Sequence, residues 1–225
     1  MTRRSSIALI GAMLLCGALV VVVPRGLRQL TYFRVRRVEV VGTHYLDEYD
    51  VVSRLHLSRT ASVFDGLAPI QRAAAAVPGV LSATVTRRLP GTIRVTLREA
   101  RAVALTPTGD RLGLIDSVGR LLPFDPTRSP VPLPVAPPDS ASAALLARMA
   151  ASDPDLYGTI ESVRLDRGAI VLDVGGHSIR VLPDADDDVF RAIAAVRSYL
   201  VTNPQPWREL DARYHTRVFL RKGSA

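Results

Sequence analysis

The chain has 225 residues, 48% hydrophobic, 22% charged and only 5% aromatic, with a net charge of +8 at pH 7. Its lone cysteine, Cys16, excludes an intrachain disulfide framework. The charge is almost all arginine, since Lys222 is the only lysine, and the arginines are dispersed without a recognition helix or aromatic platform, which argues against nucleic acid as a partner.

The run 7–23 is apolar throughout and follows Arg3 and Arg4; Ile7, Leu14, Leu19 and Val23 mark its length. As a helix it reaches roughly 26 Å, slightly short of a ~30 Å hydrocarbon core. Leu27 and Leu30 extend it while Arg25 and Arg28 snorkel to the headgroups. A cleaved secretory signal is the rival reading, but the run exceeds a usual apolar region of ~7–15 residues. Val20-Val21-Val22-Val23-Pro24 also lacks a small-x-small cleavage site, and bulky Leu15 before Cys16 does not suit a lipoprotein. The expectation is a short N-terminus over 1–6 and a retained transmembrane anchor with its juxtamembrane segment over 7–30, so that the lipid bilayer is one partner. Charge leaves the orientation open: Arg25, Arg28, Arg34, Arg36 and Arg37 outnumber Arg3 and Arg4, yet the positive-inside rule weakens for long translocated domains.

Next, Val38 and Val40 alternate with Arg37 and Glu39, which predicts a strand ending at Gly42. Asp47 is placed to cap a helix with Val51, Val52 and Leu55 on its apolar face, and the acids Asp47, Glu48 and Asp50 suit its positive end. A second helix carries Leu67, Ile70, Ala74 and Val77 and is stopped by Pro78-Gly79. Two strands joined at Pro90-Gly91 follow; in the second, Ile93, Val95 and Leu97 point one way and Thr92, Arg94, Thr96 and Arg98 the other. The order strand, helix, helix, strand, strand predicts an α+β unit over 34–101, with two helices on one face of a three-stranded sheet and a polar opposite face.

The stretch 102–222 reads as a mixed β-sheet domain with flanking helices. Short strands over 102–105 and 112–115 flank a turn at Thr108-Gly109-Asp110, and the proline-rich stretch 123–138 is expected to be an extended loop. A short helix is predicted over 141–151, then strands over 162–166, 170–174 and 178–182 as a β-meander. A helix over 187–201 puts Val189, Ile193, Val196 and Leu200 on one stripe, and Asp184, Asp186, Asp187 and Asp188 complement its dipole rather than bind calcium. A last strand over 214–221 alternates Tyr214, Thr216, Val218 and Leu220 against His215, Arg217, Phe219 and Arg221.

Lying late in the chain, that strand is expected to end at a sheet edge whose unpaired backbone groups invite a partner strand, with Arg217 and Arg221 pairing acids and Phe219 filling a pocket. A strand over 80–87, with Val80, Ala83, Val85 and Arg87, is the secondary candidate edge. Catalysis has little support. His44, His56, His177 and His215 are far apart, and no metal-ligand spacing, nucleophile elbow or phosphate loop appears, so neither cofactor nor small-molecule substrate is expected.

These residues carry a resemblance. The β-α-α-β-β order resembles a POTRA domain, and its surroundings are similar to the FtsQ/DivIB family of bacterial division proteins. The matching stretches are Val35-Arg36-Arg37-Val38-Glu39-Val40-Val41-Gly42, Val77-Pro78-Gly79-Val80, Ala83-Thr84-Val85-Thr86-Arg87-Arg88-Leu89-Pro90 and Ile93-Arg94-Val95-Thr96-Leu97-Arg98-Glu99. Further on, Leu114-Ile115-Asp116-Ser117-Val118-Gly119-Arg120-Leu121-Leu122, Leu133-Pro134 and Glu209-Leu210-Asp211-Ala212-Arg213-Tyr214 resemble later family motifs. Each motif is weak alone, while their order is specific. Ala102 departs from the family, which often carries proline there, and the proline-rich stretch 125–141 departs from it as an insert. The resemblance implies a single-pass inner-membrane protein of the septum, its N-terminus cytoplasmic and its folded domains periplasmic or extracytoplasmic. It further implies that the C-terminal region binds small bitopic coiled-coil division proteins, among other components of the divisome, and so helps regulate septal peptidoglycan synthesis. The alternative is a POTRA-type chaperone of protein export or outer-membrane assembly, which would use the same strand addition on unfolded clients.

Overall fold

The computed structural model of the protein describes residue 26 and residues 30–214 and 217–222. The anchor residues Ile7, Leu14, Leu19 and Val23, and Thr216 of the expected last strand, lie outside the described residues. Among the described residues, no helix is long and apolar enough to cross a membrane. The chain divides into two compact units, Met1–Glu99 and Ala100–Ala225.

The first unit runs β1 (Arg37–Val41), α1 (Glu48–Arg54), α2 (Ala68–Ala75), β2 (Val80–Arg88) and β3 (Thr92–Glu99), the order expected from the sequence. In space the strands lie β1-β3-β2, with β1 parallel and β2 antiparallel to β3. A parallel β1–β3 pair needs a long crossover, and the two helices supply part of it. The Asp47 carboxylate accepts the Tyr49 and Asp50 N–H groups and fixes the start of α1. Val40, Val51, Ile70, Ala74, Ala83, Val85, Ile93, Val95 and Leu97 form the core between helices and sheet, while on the other face Arg94 forks onto Glu39 with contacts of 2.9 and 2.7 Å. Glu39 and Arg94 stand directly opposite in the β1–β3 register.

Two close approaches hold this unit in shape. Gly42 ends β1 at φ +90°, where a Cβ would sit 2.2 Å from the Leu97 carbonyl oxygen, so only glycine fits. The loop after it is caught by Glu99, a buried carboxylate that accepts the N–H groups of His44, Tyr45 and Leu46 at 2.9, 2.9 and 3.1 Å. Before β1, a 3-10 turn at Thr31–Phe33 leads into the domain, where the Val35 N–H donates to Ala61 and the Val63 N–H donates back to Phe33.

The second unit begins with an antiparallel hairpin, β4 (Ala104–Thr108) and β5 (Arg111–Ile115), extended by the short β6 (Leu121–Leu122). After the proline-rich stretch come α3 (Ser140–Ser152), the single-turn α4 (Pro154–Tyr157), and the meander β7 (Ser162–Asp166), β8 (Ala169–Val174) and β9 (His177–Val181). Then follow α5 (Asp187–Thr202), β10 (Glu209–Tyr214) and β11 (Arg217–Arg221). The five later strands lie in the order β11-β10-β9-β8-β7. Asp139 caps α3 through the Ser142 N–H, and Asp186, one of the acids expected at the start of α5, caps it through the N–H groups of Asp188 and Val189. Leu145, Leu146, Met149, Phe190 and Ile193 of these helices pack onto Ile170, Leu172, Ile179 and Leu210 of the sheet.

The structure corrects the sequence reading at two places. The proline-rich stretch is not simply a loop, because Val135 bridges Leu105 on one side and Ser162 on the other, both in parallel. Ala136 and Leu105 N–H groups donate to Leu105 and Pro134 carbonyls, and the Val135 and Val163 N–H groups donate to Glu161 and Val135 carbonyls, at 2.7–3.0 Å. One residue thereby stitches β6-β5-β4 to β7. The expected single strand over 214–221 is instead two: Tyr214 closes β10, which runs parallel to β9 through the α5 crossover, and β11 folds back antiparallel to it.

A C-terminal sheet edge as the candidate partner-binding site

β11 sits at the end of its sheet, and among the described strands it pairs only with β10. Its exposure alternates: Val218 and Leu220 are partly buried against the core of the second unit, while Arg217, Phe219 and Arg221 face outward. The side chains of Val218 and Leu220 are thus committed inward, because the helices of this unit cover that face of the sheet. What remains for a partner is the backbone edge and the outward set. Phe219 is 49% exposed and Tyr214 53%, and their rings meet edge to face with centroids 5.2 Å apart. Two large aromatic surfaces beside a strand edge form an apolar handle of the kind that anchors interfaces.

Behind this handle the outward face of the sheet is an ordered array of charges that the sequence reading missed. The register aligns Arg164, Val171, Arg180, Asp211 and Phe219 in one row across β7 to β11, and Ser162, Asp173, Ser178, Glu209 and Arg221 in the next. Diagonal ion pairs link them: Arg164 to Asp173 at 3.3 Å, Arg180 to Asp166 at 2.7 Å and to Glu209 at 3.7 Å. Arg221 reaches Glu209 at 3.3 Å and Asp211 at 3.9 Å. Its charge is therefore shared within the chain while its side chain stays exposed; Arg217 forms no ion pair among the described residues.

Asp211 is the buried node, with 5% of its side chain exposed, and accepts from Arg213 Nε and an Arg213 terminal nitrogen at 2.8 and 2.6 Å. That doubly bonded guanidinium, aided by the Arg213 N–H, holds the Asp211 carboxyl below the usual carboxylate range and pushes the Arg213 pKa up. The Asp166 carboxyl is likewise held low by the Arg180 hydrogen bond. The β10–β11 register slips between Asp211 and Tyr214, where three steps on β10 oppose two on β11, so a β-bulge lies beside the edge. The signal for β10 was present in the strict polar–apolar alternation of Glu209 to Tyr214.

The secondary candidate edge, β2, also ends its sheet, but its named side chains are framework. Ala83 and Val85 are buried, Val80 packs on the same core, and Arg87 is spent on the Val63 and Asp65 carbonyls at 2.6 and 2.9 Å. Leu81, at the register shift near the start of that strand, is exposed. Elsewhere, His177 stacks on Trp207 with ring centroids 3.9 Å apart, beside an open cleft of about 570 Å³ lined by Leu200, Pro204, Gln205 and Pro206. Among the described residues, no three His, Cys, Asp or Glu side chains are placed to share a metal ion.

Residues 33–100 match the FtsQ-type POTRA domain family. Over 161 residues, 69% of this chain, the sequence is 30% identical to the cell division protein FtsQ of Caulobacter vibrioides, in two strains. The matched region is 53% of that protein, so the chain spans about half the length of the curated relatives it matches. Residues 33–100 thus form an FtsQ-type POTRA domain on the β-α-α-β-β unit, and the similarity to the cell division protein FtsQ reaches well beyond that domain.

Proposed function

We propose that this chain is a non-enzymatic, single-pass scaffold of the bacterial division machinery. The run 7–23 anchors it in the inner membrane with the N-terminus inside, and the two folded units stand on the outer side of that membrane at the septum. Its working part is the β11 edge, which accepts an extended segment of a small bitopic coiled-coil division protein as an added strand and thereby helps regulate septal peptidoglycan synthesis. The observation that carries this reading is the terminal place of β11 in its sheet, with Phe219 and Tyr214 exposed beside it.

Strand addition suits the task because main-chain hydrogen bonds supply affinity that tolerates many side chains, while a few anchors select among partners. Here the anchor is the Tyr214–Phe219 pair and the selecting charge is Arg217, which favours a segment with an apolar residue flanked by an acid. The test is capture of the cell's small bitopic division proteins by the full chain in detergent, comparing the parent with Phe219→Asp. The substitution is expected to weaken capture about tenfold or more, equal to about 1.4 kcal/mol, with an unchanged circular dichroism spectrum. Undiminished capture by a natively folded variant contradicts the assignment.

A further inference from the structure

A second surface lies at one end of the POTRA unit, where the lead-in segment 30–37 meets the β2–β3 hairpin. The Arg36 and Arg37 N–H groups both donate to the Gly91 carbonyl, at 2.8 and 3.2 Å, and a Cβ on Gly91 would stand 2.8 Å from the Arg34 carbonyl oxygen. Arg37 and Arg88 both face Thr92 in the sheet register, so they flank the same end row. The lead-in is fixed to the domain by its hydrogen bonds with 61–63 and by the Phe33 ring, which meets Phe64 edge to face at 5.0 Å. These contacts hold together three exposed apolar side chains, Leu30, Tyr32 and Leu89, and four exposed arginines, Arg34, Arg36, Arg37 and Arg88. The Arg36 guanidinium lies 5.7 Å from the Tyr32 ring centroid and donates to the Tyr32 carbonyl. Among the described residues the acids near this end are already engaged: Glu39 is bonded to Arg94, with Arg88 at 3.9 Å, and the Asp65 carboxylate accepts the Ser62 N–H at 2.7 Å.

We propose that this end of the POTRA unit rests on the bilayer, with Tyr32 and Leu89 in the headgroup layer and the arginines on anionic lipid phosphates. The inference rests on the reading of 7–23 as the membrane anchor. Three observations select lipid as the occupant. First, only six residues separate Val23 from Leu30, which confines the patch to within ~25 Å of the apolar run even with that connection fully extended. Second, a tyrosine and leucines ringed by arginines is the composition of an interfacial footprint, its charge complementary to an anionic leaflet. Third, tethering makes the contact intramolecular, so a weak attraction suffices to populate it. The domain would then stand end-on, its sheet axis rising from the membrane, instead of swinging on a free linker.

The test uses the full chain in lipid nanodiscs, with Cys16→Ser and a nitroxide on Leu89→Cys, or on Leu81→Cys at the far end of β2. Resistance to alkaline extraction reports the anchor independently. In phosphatidylglycerol-containing discs the label at 89 is expected to be about threefold less accessible to a water-soluble nickel chelate than the label at 81. Adding Arg34→Glu and Arg88→Glu is expected to restore that accessibility. If the chain is extracted by alkali, the anchor reading itself fails and the footprint falls with it. A chain that stays anchored with both labels equally open, or equally shielded, overturns the footprint alone. So does shielding that persists in neutral phosphatidylcholine or in the double glutamate variant, or that appears only when a division protein is added.

Discussion

Glu99 shows how much one side chain decides in the first unit. Its carboxylate gathers three consecutive N–H groups, those of His44, Tyr45 and Leu46, which the turn into α1 leaves without strand or helix partners. Removing the acceptor strands three donors at once, so Glu99→Ala is expected to cost about 3 kcal/mol in urea denaturation, and Glu99→Gln roughly half of that. A loss under about 1 kcal/mol for the alanine variant contradicts this account. Asp211 plays the corresponding part in the second unit. Its folded pKa lies below its unfolded one, so the stabilisation is present above the unfolded value near ~3.9 and is lost as pH falls through the lower folded value. The parent chain is therefore expected to weaken on acidification in that window, and Asp211→Asn to be less stable at neutral pH but flatter with pH. Denaturation midpoints between about pH 2 and 6 check both. An unaltered acid slope in the variant contradicts the role given to this carboxylate. Neither residue was legible as such: Glu99 stood out only as part of a family-like stretch, because its partners lie 53 to 55 positions away.

At the level of elements, the sequence was informative wherever a pattern is local. Asp47 marked the start of α1 and an acidic run that of α5, Pro78-Gly79 marked the end of α2, and the alternation in β3 marked its core face before any contact was known. It was silent where an element is defined by its neighbours. Val135 is a strand of one residue, and nothing in a proline-rich setting signals that Leu105 and Ser162 will flank it. The edge behaves in the same way: alternation over 217–221 is visible, but whether a further strand lies beside β11 is a property of the sheet. Running 214–221 together as one strand failed for a related reason, since the fold back after Tyr214 is set by the parallel pairing of β10 with β9. The stitch makes a direct prediction. Val135→Pro deletes the N–H that reaches Glu161, so the β4–β7 junction is expected to open, with faster amide exchange at Leu105 and Val163 and a loss of about 3 kcal/mol. Unchanged exchange at those two amides contradicts Val135 as the joint.

Across the whole molecule, one division of labour follows from the physics. The POTRA unit buries its apolar face under its own two helices and offers polar and basic surface outward, whereas the second unit covers one sheet face with helices and leaves β11 open. The outward charges of the second unit are largely matched among themselves, so in the proposed docking mode affinity comes from the backbone edge and the Tyr214–Phe219 handle. Under the proposed function, specificity on such a site resides in a few side chains, an economy that suits a scaffold with several small partners. The most direct test of the proposed docking is hydrogen–deuterium exchange of the full chain with and without a small bitopic division protein. Strand addition predicts new amide protection across 217–221, matched by protection of one extended segment in the partner. Protection confined to other surfaces, with 217–221 exchanging as in the free chain, would contradict it.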